Sequence, residues 1–267
     1  MFYEGIIGDI MYTMNKARTG IFELDIALDR YLNYLAEWQV LPEGTYCFAG
    51  GCLRCVFDNT RLSDLDIYIL GDINQHNKVK RALVDKYYIT PMLLENPFTA
   101  ISLINLPHHE ISPHPPAHLK DEIVPERSDF KPNIQIMSYT YDDNFASRTP
   151  KTTLAGLHLA NKAASTTSEI LSSFDLTLSN AAVEFEVGSN HVAISSVDIS
   201  TQFLVDICMR KLVLAIPNRD VPQQLTSIRR FHKFVELGYK PDKKFFDEWD
   251  ARLKNNPHVL ELNYDNL

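Results

Sequence analysis

The stretch from Thr45 to Leu70, TYCFAGGCLRCVFDNTRLSDLDIYIL, decides the fold of this chain. A short apolar run, Tyr46-Cys47-Phe48-Ala49, ends in the pair Gly50-Gly51. An amphipathic segment around Leu53 to Phe57 and the polar link Asp58-Asn59-Thr60-Arg61 follow, and then Leu65, Ile67 and Ile69 alternate with Asp64, Asp66 and Tyr68. In an extended strand residues two apart project from one face, so the alternation predicts a strand with Asp64 and Asp66 side by side and their apolar neighbours packed underneath. Two carboxylates held that way are ligands for a hard divalent cation. The glycine pair carries no Cβ and can take positive φ, so its backbone can approach a phosphate closely, and the amides of the next helix start point at the anion. The stretch therefore reads as a metal-and-triphosphate site.

Working outward, Ile21 to Leu41 places Ile21, Leu24, Leu28, Tyr31, Leu32 and Leu35 at three- and four-residue steps, which predicts a helix with one apolar face, ended by Pro42-Glu43-Gly44. After the two-aspartate strand, Asn74 to Tyr88 predicts a helix with a basic face at Lys78, Lys80, Arg81 and Lys86, and Phe98 to Leu106 a strand. Six prolines and four histidines crowd Pro107 to Pro132, which argues for a surface loop. The prolines between His108, His109, His114 and His118 give them no fixed spacing for a metal site. Asn133 to Tyr139 returns as a strand, and the Ala-, Leu- and Ser-rich stretch Thr152 to Leu171 is expected to be helical. Val183 to Val187, a turn at Gly188-Ser189-Asn190, and His191 to Ser195 predict a hairpin. Helices are expected over Gln202 to Ile216, Pro222 to Leu237 and Asp242 to Lys254. The fold class is thus α+β, a small mixed sheet flanked by helices over 1–196, followed by a helical region over 197–267.

Composition narrows the function. The 267 residues carry 45% hydrophobic and 22% charged side chains, ordinary for a globular protein, with a formal net charge of −8. No global basic footprint exists for holding a long polyanion, so any contact with nucleic acid must be local. Cys47, Cys52, Cys55 and Cys208 do not form a secreted disulfide framework in a chain of this length. Cys52-Leu53-Arg54-Cys55 lacks a second pair at zinc-ligand spacing. Reduced thiols, no signal peptide and no apolar run of membrane-spanning length lead to the expectation of a cytoplasmic protein without a membrane partner.

The motifs at Gly50-Gly51 and Asp64-Leu65-Asp66 resemble the signature of the polymerase-β-like nucleotidyltransferase superfamily. Within it the chain is most similar to the branch of tRNA CCA-adding enzymes and bacterial poly(A) polymerases, whose pattern runs roughly GGxVRDxLLGRxxxDxD. Gly50-Gly51-Cys52-Leu53-Arg54, then Asp64 and Asp66, match its glycines, arginine and carboxylates, while Cys55 stands in place of an aspartate. A second motif of the branch, RDFTINA, is echoed by Phe174-Asp175-Leu176-Thr177-Leu178-Ser179-Asn180-Ala181, with Asp175, Thr177, Asn180 and Ala181 matching and Phe174 where arginine is usual. Leu225 to Tyr239 resembles the helical segment with which CCA-adding enzymes read the incoming base. Arg229, Arg230 and Lys233 form a basic ridge there, and the acidic partner is missing. In size the chain resembles compact, phage-type relatives: the segment after Gly238 is too short for the helical tail that holds a tRNA elbow.

The resemblance implies a nucleotidyltransferase that moves a nucleoside monophosphate from a nucleoside triphosphate to a hydroxyl acceptor with release of pyrophosphate. Asp64 and Asp66 would hold Mg²⁺, or Mn²⁺ in its place. Asp175 would complete the catalytic set or contact the ribose, and Gly50, Gly51, Arg54, Thr177, Asn180, Arg229, Arg230 and Lys233 would bind the nucleotide. The acceptor is an RNA 3′ end, a protein or a small molecule, the last as in antibiotic-type transferases. Cys55 and Phe174 keep open an alternative, a catalytically inactive nucleotide- or protein-binding module on the same fold.

Overall fold

The structure, a computed structural model, describes residues 19–58, 60, 64–87, 99–107, 135–138, 154–189, 191–215 and 230–241, with 243, 245 and 247. Helix α1 spans Phe22–Trp38 and buries the predicted face, Leu24, Ala27, Leu28, Tyr31, Leu32 and Leu35. Each large apolar side chain so removed from water contributes about 1.5–3 kcal/mol. Gln39 ends the helix in the left-handed region at φ 46. Strand β1 covers Gly44–Ala49, α2 Gly51–Asp58, β2 Asp64–Leu70 and α3 Ile73–Tyr87. They are followed by β3 at Thr99–Pro107, β4 at Gln135–Ser138 and β5 at Leu154–Ala164. A short helix α4 at Thr167–Leu171, a 3-10 turn at Thr177–Ser179, the hairpin β6 Ala181–Val187 with β7 Val192–Ile199, and α5 at Thr201–Cys208 complete the main body.

Among the described residues, seven strands form one mixed sheet in the order β4-β3-β5-β2-β1-β6-β7. The β2–β5 pair is parallel and the other pairs are antiparallel. Alternation along the central strands sorts the faces. Tyr46, Phe48, Leu65, Ile67, Ile69, Val183 and Phe185 join α1 and α2 in the main core, where Phe48 stacks on Phe185 with ring centroids 4.5 Å apart. Cys47, Ala49 and Ala182 belong to a second, smaller cluster with Ala164 and Ile170, flanked by Tyr68 and Phe174.

Two expectations are corrected. Thr152 to Leu171 is not a helix: β5 occupies Leu154–Ala164 and only Thr167–Leu171 is helical. Pairing with β2 on one side and β3 on the other satisfies the β5 backbone, and such tertiary pairing overrides the helical preference of Ala and Leu. Nor does a helix run from Gln202 to Ile216. Ser200 caps α5 by accepting from Phe203 N at 3.0 Å, but Arg210 takes φ 51, a left-handed turn that ends the helix. Lys211–Leu212 then forms a short strand, β8, parallel to β9 at Lys240–Pro241, so the region after 197 is not purely helical. Helical backbone resumes at 230–236.

Strand β7 runs through the division expected between 196 and 197, and Phe203, Leu212, Phe234, Tyr239 and Phe245 lie in the same core as Leu53 and Leu178. The Pro/His stretch at 108–132 and most of the helix expected over Asp242 to Lys254 lie outside the described residues. No described helix is long and apolar enough to cross a membrane.

Candidate functional site

Register brings the two halves of the opening stretch together. β1 and β2 are antiparallel neighbours with Phe48 opposite Ile67. The end of β1 and the Gly50-Gly51 turn therefore lie at the same end of the two central strands as Asp66 and Asp64, which precede Ile67. Gly50 needs to be glycine: its φ is +81, its N–H donates to Ala181 O at 3.2 Å, and an added Cβ would lie 3.4 Å from the Phe174 ring. Its carbonyl accepts from Leu53 N and Arg54 N, which starts α2 directly after the turn. A Cβ at Gly51 would meet nothing within 4 Å, so open space adjoins the helix start.

Asp66 is half-buried, and the side chain of Asp64 lies outside the described residues. Tyr68, two positions further on, is half-buried with its ring edge-on to Phe174 at 6.3 Å. Burial first, then the charge of Asp66, push the Tyr68 phenol well above its ordinary value, while Arg230 pulls the other way. Asp66, Tyr68, Phe174 and Arg230 thus share one neighbourhood.

The second motif is built into the same region. Asp175 is fully buried; its Oδ1 accepts from Arg230 Nη1 at 2.7 Å and its carbonyl from Ala215 N at 2.8 Å. Thr177 Oγ1 donates to Asp206 Oδ2 at 2.5 Å, and Gln202 holds the other oxygen of that buried carboxylate at 2.7 Å. Thr177 is thereby a brace between the 3-10 turn and α5. The Asn180 Oδ1 atom is buried without a hydrogen-bond partner, while the Asn180 backbone ties Thr177 O to Ser200 N.

Arg54 is engaged by protein partners. It is 4% exposed, donates to Asp58 and to Thr60 Oγ1, and stacks over Phe234 at 4.9 Å. Burial would lower its pKa, but Cys55, Asp58 and Tyr239 more than offset this. Asp58 also accepts from Tyr239 Oη at 2.8 Å, and its carbonyl accepts from Arg210 at 3.1 Å. Arg54 therefore fastens α2 to the segment that carries Arg230. Cys55, where the resembling branch has aspartate, is buried against Arg54 and Thr60. Lys233 is exposed on the stretch bearing Arg230, and Arg229 lies outside the described residues.

Reading Thr152 to Leu171 as helix hides one residue of the site face. His158, half-buried on β5, pairs in register with Asp66. The alternation of Leu157 and Leu159 with Gly156, His158 and Ala160 is the period-2 signal that exposes it.

As a donor set for a divalent cation, β2 offers two carboxylate positions one step apart and β5 an imidazole opposite one of them. The chemistry fits such an ion. Among the described side chains no three such ligands converge; Asp64 is not one of those side chains.

No family model and no curated protein matches the chain. Among solved structures it is similar to one described as a tRNA-processing enzyme in its apo form, with a TM-score of 0.44 and 12% identity. That similarity covers 92% of this chain and 50% of the other, so the chain spans half the length of the structure it resembles.

Proposed function

We propose that this chain is a nucleotidyltransferase that moves a nucleoside monophosphate from a nucleoside triphosphate to a hydroxyl acceptor. One observation carries the reading: the β1–β2 register sets the Gly50-Gly51 turn and the start of α2 at the same end of the central strands as Asp64 and Asp66. A phosphate-approachable turn beside a carboxylate pair is what phosphoryl chemistry needs, since catalysis there is chiefly positioning and charge neutralisation.

In this reading the triphosphate lies over the open side of Gly51, with helix-start amides facing its oxygens. The acceptor hydroxyl oxygen attacks the α-phosphorus in line and gives up its proton to solvent, the bond to the bridging oxygen breaks, and pyrophosphate leaves. A divalent ion at Asp64 and Asp66, when bound, supplies charge neutralisation and a lower pKa at the attacking hydroxyl. Arg230, oriented by Asp175 and partly exposed, extends its charge toward the nucleotide. Arg54 acts at one remove, by holding the segment that bears Arg230. The finer placement, near the CCA-adding and poly(A) polymerase branch, rests on the two motifs and their spacing.

The test is transfer of label. The protein is incubated with each α-labelled nucleoside triphosphate, Mg²⁺ or Mn²⁺, and RNA, protein or small-molecule acceptors in turn. Label is expected in one acceptor class, with at least a hundredfold loss in Asp66→Ala. Triphosphate recovered unchanged with every acceptor and both ions overturns the transferase reading, and retention without turnover makes the chain a binding module.

A further inference from the structure

The residue beside the carboxylate pair is not a third carboxylate but an imidazole. β5 runs parallel to β2, with Asp64 opposite Gly156 and Asp66 opposite His158. Paired backbones on neighbouring strands stand about 4.8 Å apart, and side chains at paired positions project from the same face of the sheet. Two donors so placed can both reach one ion, because ligand bonds to a first-row divalent metal are about 2.0–2.2 Å. Gly156, opposite Asp64, adds no side chain to fill the space between the strands. The other carboxylate near the site, Asp175, is fully buried and engaged by Arg230.

We infer that His158 is a ligand of the divalent ion held at Asp64 and Asp66, giving a two-carboxylate, one-imidazole centre that prefers Mn²⁺ to Mg²⁺. The inference rests on the reading of β2 as the metal-binding strand. Carboxylate and water oxygens suit Mg²⁺, which demands near-ideal octahedral oxygen geometry and keeps its waters. An imidazole nitrogen shifts the balance toward transition metals. Reaction chemistry is otherwise unchanged: the nitrogen replaces an oxygen or a water on the ion, and no proton or electron is consumed.

The experiment reads metal binding directly in the full-length protein. Mn²⁺ is titrated and the free ion followed by electron paramagnetic resonance, Mg²⁺ is measured by competition, and the bound Mn²⁺ is examined by spin-echo modulation for a coupled ¹⁴N nucleus. Wild type is expected to bind Mn²⁺ at least tenfold more tightly than Mg²⁺ and to show ¹⁴N modulation. His158→Asn should weaken Mn²⁺ binding at least tenfold and abolish the modulation. His158→Asp should keep a site that has lost the modulation and most of its preference for Mn²⁺. Bound Mn²⁺ without ¹⁴N modulation in wild type, or modulation that persists in His158→Asn, overturns the inference. The β2 reading survives that result if Asp66→Asn still abolishes binding. Wild type that binds neither ion overturns both. The spectroscopic arm needs only the unaltered protein, so it decides the matter even if a His158 variant does not fold.

Discussion

Arg230 Nη1 donates to Asp175 Oδ1 at 2.7 Å, from a side chain 45% exposed to a carboxylate with no exposure at all. The pair joins two motifs 55 residues apart in sequence. Removing Arg230 leaves a buried carboxylate short of its cation. Losses of this kind run to about 3–5 kcal/mol when both groups are buried, and the half-exposed arginine brings that down to about 1–3 kcal/mol. Arg230→Ala should therefore lower Tm by roughly 3–10 °C. Asp175→Asn, which removes the charge that needed compensation, should cost less, and the double variant should show coupling of about 1 kcal/mol or more. Strict additivity in a thermal or urea double-mutant cycle would show that the contact contributes nothing.

A second prediction concerns the clasp at Asp58. Arg54, Thr60 and Tyr239 all donate to its carboxylate, and both Arg54 and Asp58 are at most 4% exposed. Asp58→Ala strands a buried guanidinium and should cost about 3–5 kcal/mol. Tyr239→Phe deletes one donor to a charged acceptor and should cost about 1.5–3 kcal/mol. Because Phe234 and Tyr239 flank Arg54, protease cleavage after 230 should accelerate in both variants before global unfolding is seen. Limited proteolysis that matches wild type in both would separate Arg54 from the positioning of Arg230.

Alkaline pH should unfold the protein sooner than its net charge suggests. Tyr31, Tyr46 and Tyr239 are at most 1% exposed, and burial, the largest cause in each case, raises their pKa values. The native state thus keeps protons that the unfolded chain releases near pH 10. More protons bound in the native state make unfolding free energy fall with pH, so this contribution is intact below about pH 10 and is lost as pH rises toward the native values. Each group adds up to about 1.4 kcal/mol per pH unit, so these three together with Tyr68, raised for the same reason, give a slope of about 5–6. The Cys47 thiol, pushed up to about 12 by burial and then by Glu184, starts the decline somewhat earlier. Tyr239→Phe should flatten the slope by about one quarter. Urea midpoints between pH 8 and 11 that stay level would contradict it.

Much of the fold was legible because its signals are local. Tyr46 to Ala49, the glycine pair and the Asp64 to Leu70 alternation predict strand, turn and strand from side-chain period alone, and β1, α2 and β2 lie where that period puts them. The apolar steps of α1 work the same way. Thr152 to Leu171 misled because alanine and leucine favour a helix locally, whereas β5 owes its form to partners on both sides. Helix α5 stops at Cys208 for a similar reason. Arg210 is drawn into a left-handed turn by Asp58 O and Leu237 O, acceptors 152 and 27 residues away. Of the site, spacing pointed to Gly50, Asp64, Asp66 and Asp175 but could not say which arginine is buried. Arg54 and Arg230 look alike in sequence, and only packing sends one into the interior against Phe234 and leaves the other half-exposed on Asp175.

The two adjacent glycines should separate stability from binding. Gly50 sits at φ +81 with Phe174 3.4 Å from where its Cβ would be, so Gly50→Ala forces an L-residue into the left-handed region against an aromatic ring. That should cost about 1–2 kcal/mol and roughly 2–8 °C in Tm. Gly51 is the first residue of α2, with nothing within 4 Å of an added Cβ. Alanine favours helix there, so Gly51→Ala should leave Tm unchanged or raise it by up to about 0.5–1 kcal/mol equivalent. The added methyl occupies the space assigned to the triphosphate, so the same variant should weaken nucleoside triphosphate binding at least tenfold. Fluorescence titration with a labelled triphosphate, run beside thermal unfolding, reads both effects. Equal binding in Gly51→Ala and wild type would move the phosphates away from the glycine turn, and a large Tm loss in Gly51→Ala would mean the space there is closed.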